Sequence, residues 1–243
     1  MYSNLDEIIS HYSFLSVLIG TGLIIFLSLV SLFLKKPKEI IKKLLFTGIC
    51  LTTILVTLFL GGSTVYLNTV SSSKGPVHHH SDIEFWACGE ELNLKDPEGT
   101  FSNKIGTPTL HEHNDKRIHI EGVIVTPLDA SLGKFMQVVG GTINSEFVVI
   151  PTNEGSKKYI TGEACPNGQT GKVQVFVYKT INGEYSQEKL MDPKSHILSP
   201  YSSVPSGDCI IVEFDSEKDA TDKLCLSYEV AEKIGKIKRS GNQ

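Results

Sequence analysis

Residues 13–34 read SFLSVLIGTGLIIFLSLVSLFL, with no ionisable side chain, and residues 44–67 read LLFTGICLTTILVTLFLGGSTVYL, again uncharged. As helices rising about 1.5 Å per residue, both runs are long enough to cross the roughly 30 Å hydrocarbon core of a bilayer. Lipid offers the backbone no hydrogen-bond partner, so helix is the state expected of each. A buried helical hairpin of a soluble protein is the competing reading, but two such runs would leave it no polar face. A secretory signal is disfavoured for the first run, because residues 1–12 hold Asp6 and Glu7 but no Lys or Arg.

Between the two runs lies KKPKEIIKK, residues 35–43, with five lysines and one glutamate. Short lysine-rich loops stay in the cytoplasm. The expected topology therefore has loop 35–43 inside, with the N-terminus and everything after residue 70 outside. The chain divides into an anchor of two transmembrane helices (1–70), a small polar linker TVSSSKGPV whose core is 71–77, a folded extracytoplasmic domain over 78–234 and a solvated tail over 235–243. The lipid bilayer is the first partner this implies, with a protein partner at the cell surface as a second. A net charge of −4 and a pI near 6.1 argue against a nucleic-acid partner, the basic residues clustering only at Lys35–Lys43 and Lys233–Arg239.

Strand patterns dominate the outer part. Ile83–Ala87 and Glu91–Leu94 flank Cys88-Gly89-Glu90 as a hairpin, and Leu110–His113 and Ile118–Val125 flank a polar turn as a second. Glu146–Ile150, Lys172–Lys179 ahead of an Asn182-Gly183 turn, and the apolar run Cys209–Phe214 read as further strands, the last one central. Helices are expected over Leu128–Val139, after Thr126-Pro127, and over Ala220–Lys238, where Leu224, Tyr228, Ala231 and Ile234 recur at helical spacing. Two membrane helices plus an α+β ectodomain with a mixed sheet, one internal helix and one C-terminal helix is the expected fold, and a β-grasp type sheet is one such arrangement.

Cys50 falls within the second apolar run, as a packing residue. Cys88, Cys165, Cys209 and Cys225 fall on the outer side, where disulfides are permitted. The expectation is one or two bridges, with Cys225 joined to Cys165 or Cys209. Thiolate metal ligation is the weaker alternative, since no CxxC is present.

Seven of the eight histidines follow residue 70, and six crowd into two windows, HHHSD (78–82) and HEHNDKRIHIE (111–121). Residues two apart on a strand share a face. His111 then projects with His113, His119 with Glu121, and His78 with His80. A three-residue loop, Asp115 to Arg117, would set His113 opposite His119 and His111 opposite Glu121. Imidazoles with a carboxylate form a donor set suited to a transition metal, zinc or copper. The candidate metal ligands are His78, His80, His111, His113, His119 and Glu121. Two other readings stay open. The histidines can line a polar, pH-responsive face of a structural or interaction ectodomain without metal, or serve a metal-dependent hydrolase with Glu112 or Glu121 as base. No HExxH, GxSxG or phosphate-binding glycine loop supports the enzyme reading.

The segments HHHSDIEFWACGEELNL, FSNKIGTPTLHEHNDKRIHIEGVI and SLGKFMQVVGG, with the Ser206-Gly207-Asp208 lead into the late strand, resemble a group of largely uncharacterised prokaryotic membrane-anchored or exported proteins. The shared pattern is HxHxD, then HxHN, then an Ile-His pair and a helix opening with Leu-Gly. It covers residues 78–143 well and 172–214 loosely. The resemblance marks His78, His80, Asp82, His111, His113 and His119 as a motif and implies no particular activity.

Overall fold

The structure, a computed structural model, describes residues 5–98, 102–198, 205 and 207–240. Residues 1–4 of the expected anchor, 241–243 of the expected tail, Phe101 and Ser206 lie outside them. Two long helices come first, α1 (Leu5–Phe33) and α2 (Glu39–Val70), followed by β1 (Pro76–Ala87), β2 (Glu90–Leu92), β3 (Ile105–Gly106), β4 (Leu110–Glu112) and β5 (Arg117–Val123). Then come α3 (Leu132–Val138), β6 (Thr142–Ile143), β7 (Phe147–Thr152), β8 (Gly155–Ile160), β9 (Lys172–Ile181), β10 (Glu184–Lys189), β11 (Cys209–Asp215), α4 (Leu226–Lys233) and β12 (Lys238–Arg239).

Helices α1 and α2 are long and apolar enough to cross a membrane. Their apolar side chains face outward: Phe14, Leu32, Phe46 and Leu58 are all at least two-thirds or nearly two-thirds exposed. The rest of the described chain does not bury them. The two pack together where side chains are small. A Cβ on Gly20 would lie 2.8 Å from Val56 Cγ2, so only glycine permits this approach. Helix α2 starts inside the lysine-rich loop, at Glu39, with Lys42 Nζ donating to Glu39 Oε1 at 2.7 Å.

The outer domain has three layers. In the middle is a nine-stranded mixed sheet, in the order β12-β10-β9-β11-β1-β5-β4-β3, with β2 paired to β1. Strand β1 runs parallel to β11 and antiparallel to β5. One face packs on α3 and the small sheet β6-β7-β8 through Ile83, Phe85, Ile118, Ile120, Phe135, Met136 and Ile150. The other face meets α4 through Phe176, Tyr178, Cys209, Ile211, Tyr228 and Ala231. Phe135 and Tyr228 are fully buried; truncating such an aromatic costs about 3–5 kcal/mol. Helix α4 covers β9, β10 and β11, while the β1-β5-β4 part of that face carries the histidines.

Several expectations are corrected. Residues 71–77 are not a loose linker. Ser71 is buried, Ser72 N donates to Val125 O at 2.9 Å, Ser73 N to Ile124 O at 3.2 Å, and β1 begins at Pro76. The internal helix is split: Pro127–Ala130 is a 3-10 turn closed by Asp129 on Thr126, and Ser131 then caps α3 by accepting from Lys134 N. The C-terminal helix occupies only Leu226–Lys233, because Tyr228 and Ala231 are buried while Ile234 is 62% exposed beyond its end. Part of the tail is ordered, with Ile237 buried and β12 paired to β10. Two disulfides form, Cys88–Cys165 and Cys209–Cys225. The second is one of the two pairings expected for Cys225.

Candidate metal centre

The site begins with the alternation of β1. Val77, Ile83, Phe85 and Ala87 turn into the core beside α3, so His78, His80, Asp82 and Glu84 must turn to the opposite face. The register with β5 pairs His78 with Glu121, His80 with His119 and Asp82 with Arg117. Strand β4 pairs His111 with His119. One straight cross-strand row, His80–His119–His111, therefore spans three strands, with the His78–Glu121 pair in the row beside it.

The expected register, with His113 opposite His119 and His111 opposite Glu121, is displaced by two residues. The cause lies in the connection. Glu112 turns to the other face, is buried, and its Oε1 accepts from Asp115 N at 2.6 Å and Lys116 N at 3.0 Å. This closes a wider loop, His113–Lys116, in which Asn114 and Lys116 take positive φ. Because the displacement is even, every side chain keeps its face. Glu112, one of the two bases weighed for a hydrolase, is thereby spent on the loop. His113, at the start of the loop, folds back over the row.

The rings are in contact. Centroids lie 4.7 Å apart for His80–His119, 4.8 Å for His78–His80, 4.8 Å for His111–His113, 4.7 Å for His113–His119, and 5.4 Å for the stacked pair His111–His119. His78 Nε2 and His80 Nε2 are 3.1 Å apart. Glu121 presents Oε1 to His78 Nε2 at 3.4 Å and Oε2 to His111 Nε2 at 4.0 Å. Two groups of three, His78-His80-His119 and His111-His113-His119, each bring three ligand atoms within 4.8 Å of one another and can hold a metal ion. All six candidate ligands thus sit in one patch. His79, on the core-facing side of β1, and His196, paired with buried Asp208 at 3.0 Å, do not belong to it.

The surroundings fix the rings. His111 Nδ1 donates to Thr107 O at 3.1 Å and His113 Nδ1 donates to Asn103 O at 2.8 Å, since a carbonyl can only accept. That leaves Nε2 as the nitrogen of each neutral ring with a free lone pair. His119 Nε2 lies 3.2 Å from Asp115 Oδ2, and Arg117 Nε donates to Asp82 Oδ1 at 2.7 Å while Ser227 of α4 donates to the same carboxylate. Gly106, opposite His111, has φ +107°, and a Cβ there would sit 2.4 Å from Leu110 O, so the short β3–β4 approach requires glycine. Thr107, Asn103 and Asp115 were not legible as ring partners. Only Asp115, four residues before His119 across a turn, offered any signal.

Burial lowers the His111 pKa to about 4, helped by the charge of Lys104 and by His113 and His119, against the opposing pull of Glu121. Burial, then His119 and His78, hold His80 below the usual imidazole value. At neutral pH both rings are therefore in the neutral form that binds metals. On the same face, next to Asp115, a cleft of about 610 Å³ opens between Arg117 and the exposed Leu226 and Val230 of α4, with Ile234 just beyond it. Comparison with known proteins gives no match to this chain, whether among family models, curated proteins or solved structures.

Proposed function

We propose that this chain is a membrane protein whose extracytoplasmic domain binds a transition-metal ion, zinc or copper, through His78, His80, His111, His113, His119 and Glu121. The observation that carries the reading is the pair of Nδ1–H groups of His111 and His113 donated to backbone carbonyls, which leaves Nε2 of each ring free to ligate in the group these two form with His119. Metal-binding histidines characteristically donate their second nitrogen in this way, and the tautomer and ring angle are fixed before the ion arrives. A solvated polar face has no need of that. All-imidazole and carboxylate donors, without thiolate, suit zinc or copper(II).

Supporting the membrane placement are the outward apolar surfaces of α1 and α2, which lipid would cover. The five lysines of loop 35–43 support a cytoplasmic loop and an outside domain. Two disulfides agree with an oxidising compartment. The motif-based grouping with prokaryotic membrane-anchored or exported proteins fits the same placement.

The test uses His119, which belongs to both histidine groups. Full-length protein in detergent, treated with chelator and then given zinc or copper(II), is expected to melt at a higher temperature, with the gain growing as the logarithm of metal concentration. His119→Ala is expected to remove that gain. A wild-type melting temperature indifferent to both metals would favour a metal-free interaction ectodomain.

A further inference from the structure

Six potential ligands are more than one ion takes up, and their arrangement divides them. His78 is mostly exposed at its side chain, 63%, whereas His111 is 1% exposed. The inner rings are held by Thr107 O and Asn103 O. The outer pair, His78 and His80, is held through side chains: their Nε2 atoms lie 3.1 Å apart, His78 faces Glu121 and His80 touches His119. Two nitrogens bound tetrahedrally at about 2.0–2.1 Å lie about 3.3 Å apart, so the outer pair is already close to ligand spacing. His119 is common to both groups. Its Nε2–H donates to Asp115, an acceptor only, so one lone pair remains for a metal. Glu121 reaches both groups, one oxygen towards His78 and the other towards His111.

We propose that the cluster is two overlapping three-nitrogen sites competing for a single ion: a loading site opened to solvent by exposed His78, His78-His80-His119, and a holding site built on buried His111, His111-His113-His119, with the Glu121 carboxylate spanning them. This rests on the metal-binding reading above. Transfer is ligand exchange without change of oxidation state. The bonds from His78 and His80 break as those from His111 and His113 form, His119 stays bound, and Glu121 passes the ion from Oε1 to Oε2. The holding site is the tighter one, because its rings are already oriented and water is largely excluded from His111.

The test is titration of metal-free, full-length protein in detergent with Co2+, whose visible spectrum reports its ligands, in wild type, His78→Ala, His113→Ala and Glu121→Gln. His78 and His113 lie outside the core, and thermal melts establish that each variant is folded. Expected are one equivalent bound in wild type even with excess Co2+, with a spectrum matched by His78→Ala. His113→Ala is expected to bind one equivalent with a different spectrum and about 10- to 100-fold more weakly, the usual penalty for losing an oriented ligand environment. Glu121→Gln is expected to take up Co2+ more slowly after mixing than wild type, and to end on a spectrum altered by the loss of the carboxylate. Two equivalents in wild type would overturn the competition. A folded His113→Ala that binds no Co2+, or gives the wild-type spectrum, would overturn the separate loading site. Co2+ binding absent from wild type itself would instead overturn the metal reading on which the proposal rests.

Discussion

At the scale of single residues, His111 and Glu112 are neighbours that do opposite things, and each carries a prediction. His111 faces the site and its pKa is lowered to about 4, chiefly by burial. The unfolded chain takes up a proton on this ring near its ordinary value of about 6.5, and the folded one refuses it until about 4. Its contribution to stability is therefore complete above pH 6.5 and lost as pH falls towards 4. Metal-free protein is expected to show a melting temperature falling across this window, and His111→Gln a flatter profile. Identical slopes would show that His111 is not held neutral. Glu112 faces away and holds the loop amides of Asp115 and Lys116. Glu112→Ala is expected to cost about 1–3 kcal/mol in chemical denaturation. By releasing Asp115 from His119, it is also expected to weaken metal binding about tenfold or more. The shared face of His111, His119 and Glu121 was legible from the period of two along a strand. Their partners across the sheet were not, because register depends on how the loop closes, and that rests on one buried carboxylate with no local pattern to announce it.

Among the elements, the long ones follow their sequence patterns and the short ones do not. Strands β9 and β11 are apolar runs buried on both faces, and the Asn182-Gly183 turn has both residues at positive φ, as a two-residue hairpin requires. Strands β3, β6, β8, β10 and β12 escaped notice. They are two residues long or, in β8 and β10, largely exposed, and neighbours rather than periodicity hold them. Helix α4 was expected to be much longer, since the spacing of Leu224, Tyr228, Ala231 and Ile234 is helical. Only its middle finds a surface to pack on. Eight residues make an unstable helix in isolation, so Tyr228 and the Cys209–Cys225 bridge must hold it. Replacing both Cys209 and Cys225 by Ala is expected to destabilise the domain by about 3 kcal/mol, and removing the Cys88–Cys165 bridge, which closes a longer segment, by more than that. Thermal melts of the two double variants would order them; equal or absent shifts would count against restriction of the unfolded chain as the source.

For the molecule as a whole, the placement across a bilayer makes a direct prediction. Single cysteines introduced at exposed Lys74 and at Ser240 are expected to react with a membrane-impermeant thiol reagent in intact cells, and one at Pro37 only after the cells are opened. The reverse pattern would put the domain in the cytoplasm and remove the compartment argument for its disulfides. Helix α2 runs to Val70, and Ser72 and Ser73 just beyond it are stitched to Val125 and Ile124, while Thr109, just before His111, donates to Asp6 at the start of α1 at 3.1 Å. A free seven-residue tether would let a domain wander over about 15 Å. Here that freedom is gone, and in the membrane placement proposed above the histidines stand at a set height and heading above the lipid, like a lamp on a post. A donor or acceptor of metal drifting in the same membrane would meet them by gliding within a plane, its approach already narrowed to one bearing, whereas a soluble carrier would have to find that bearing from the full volume of solution.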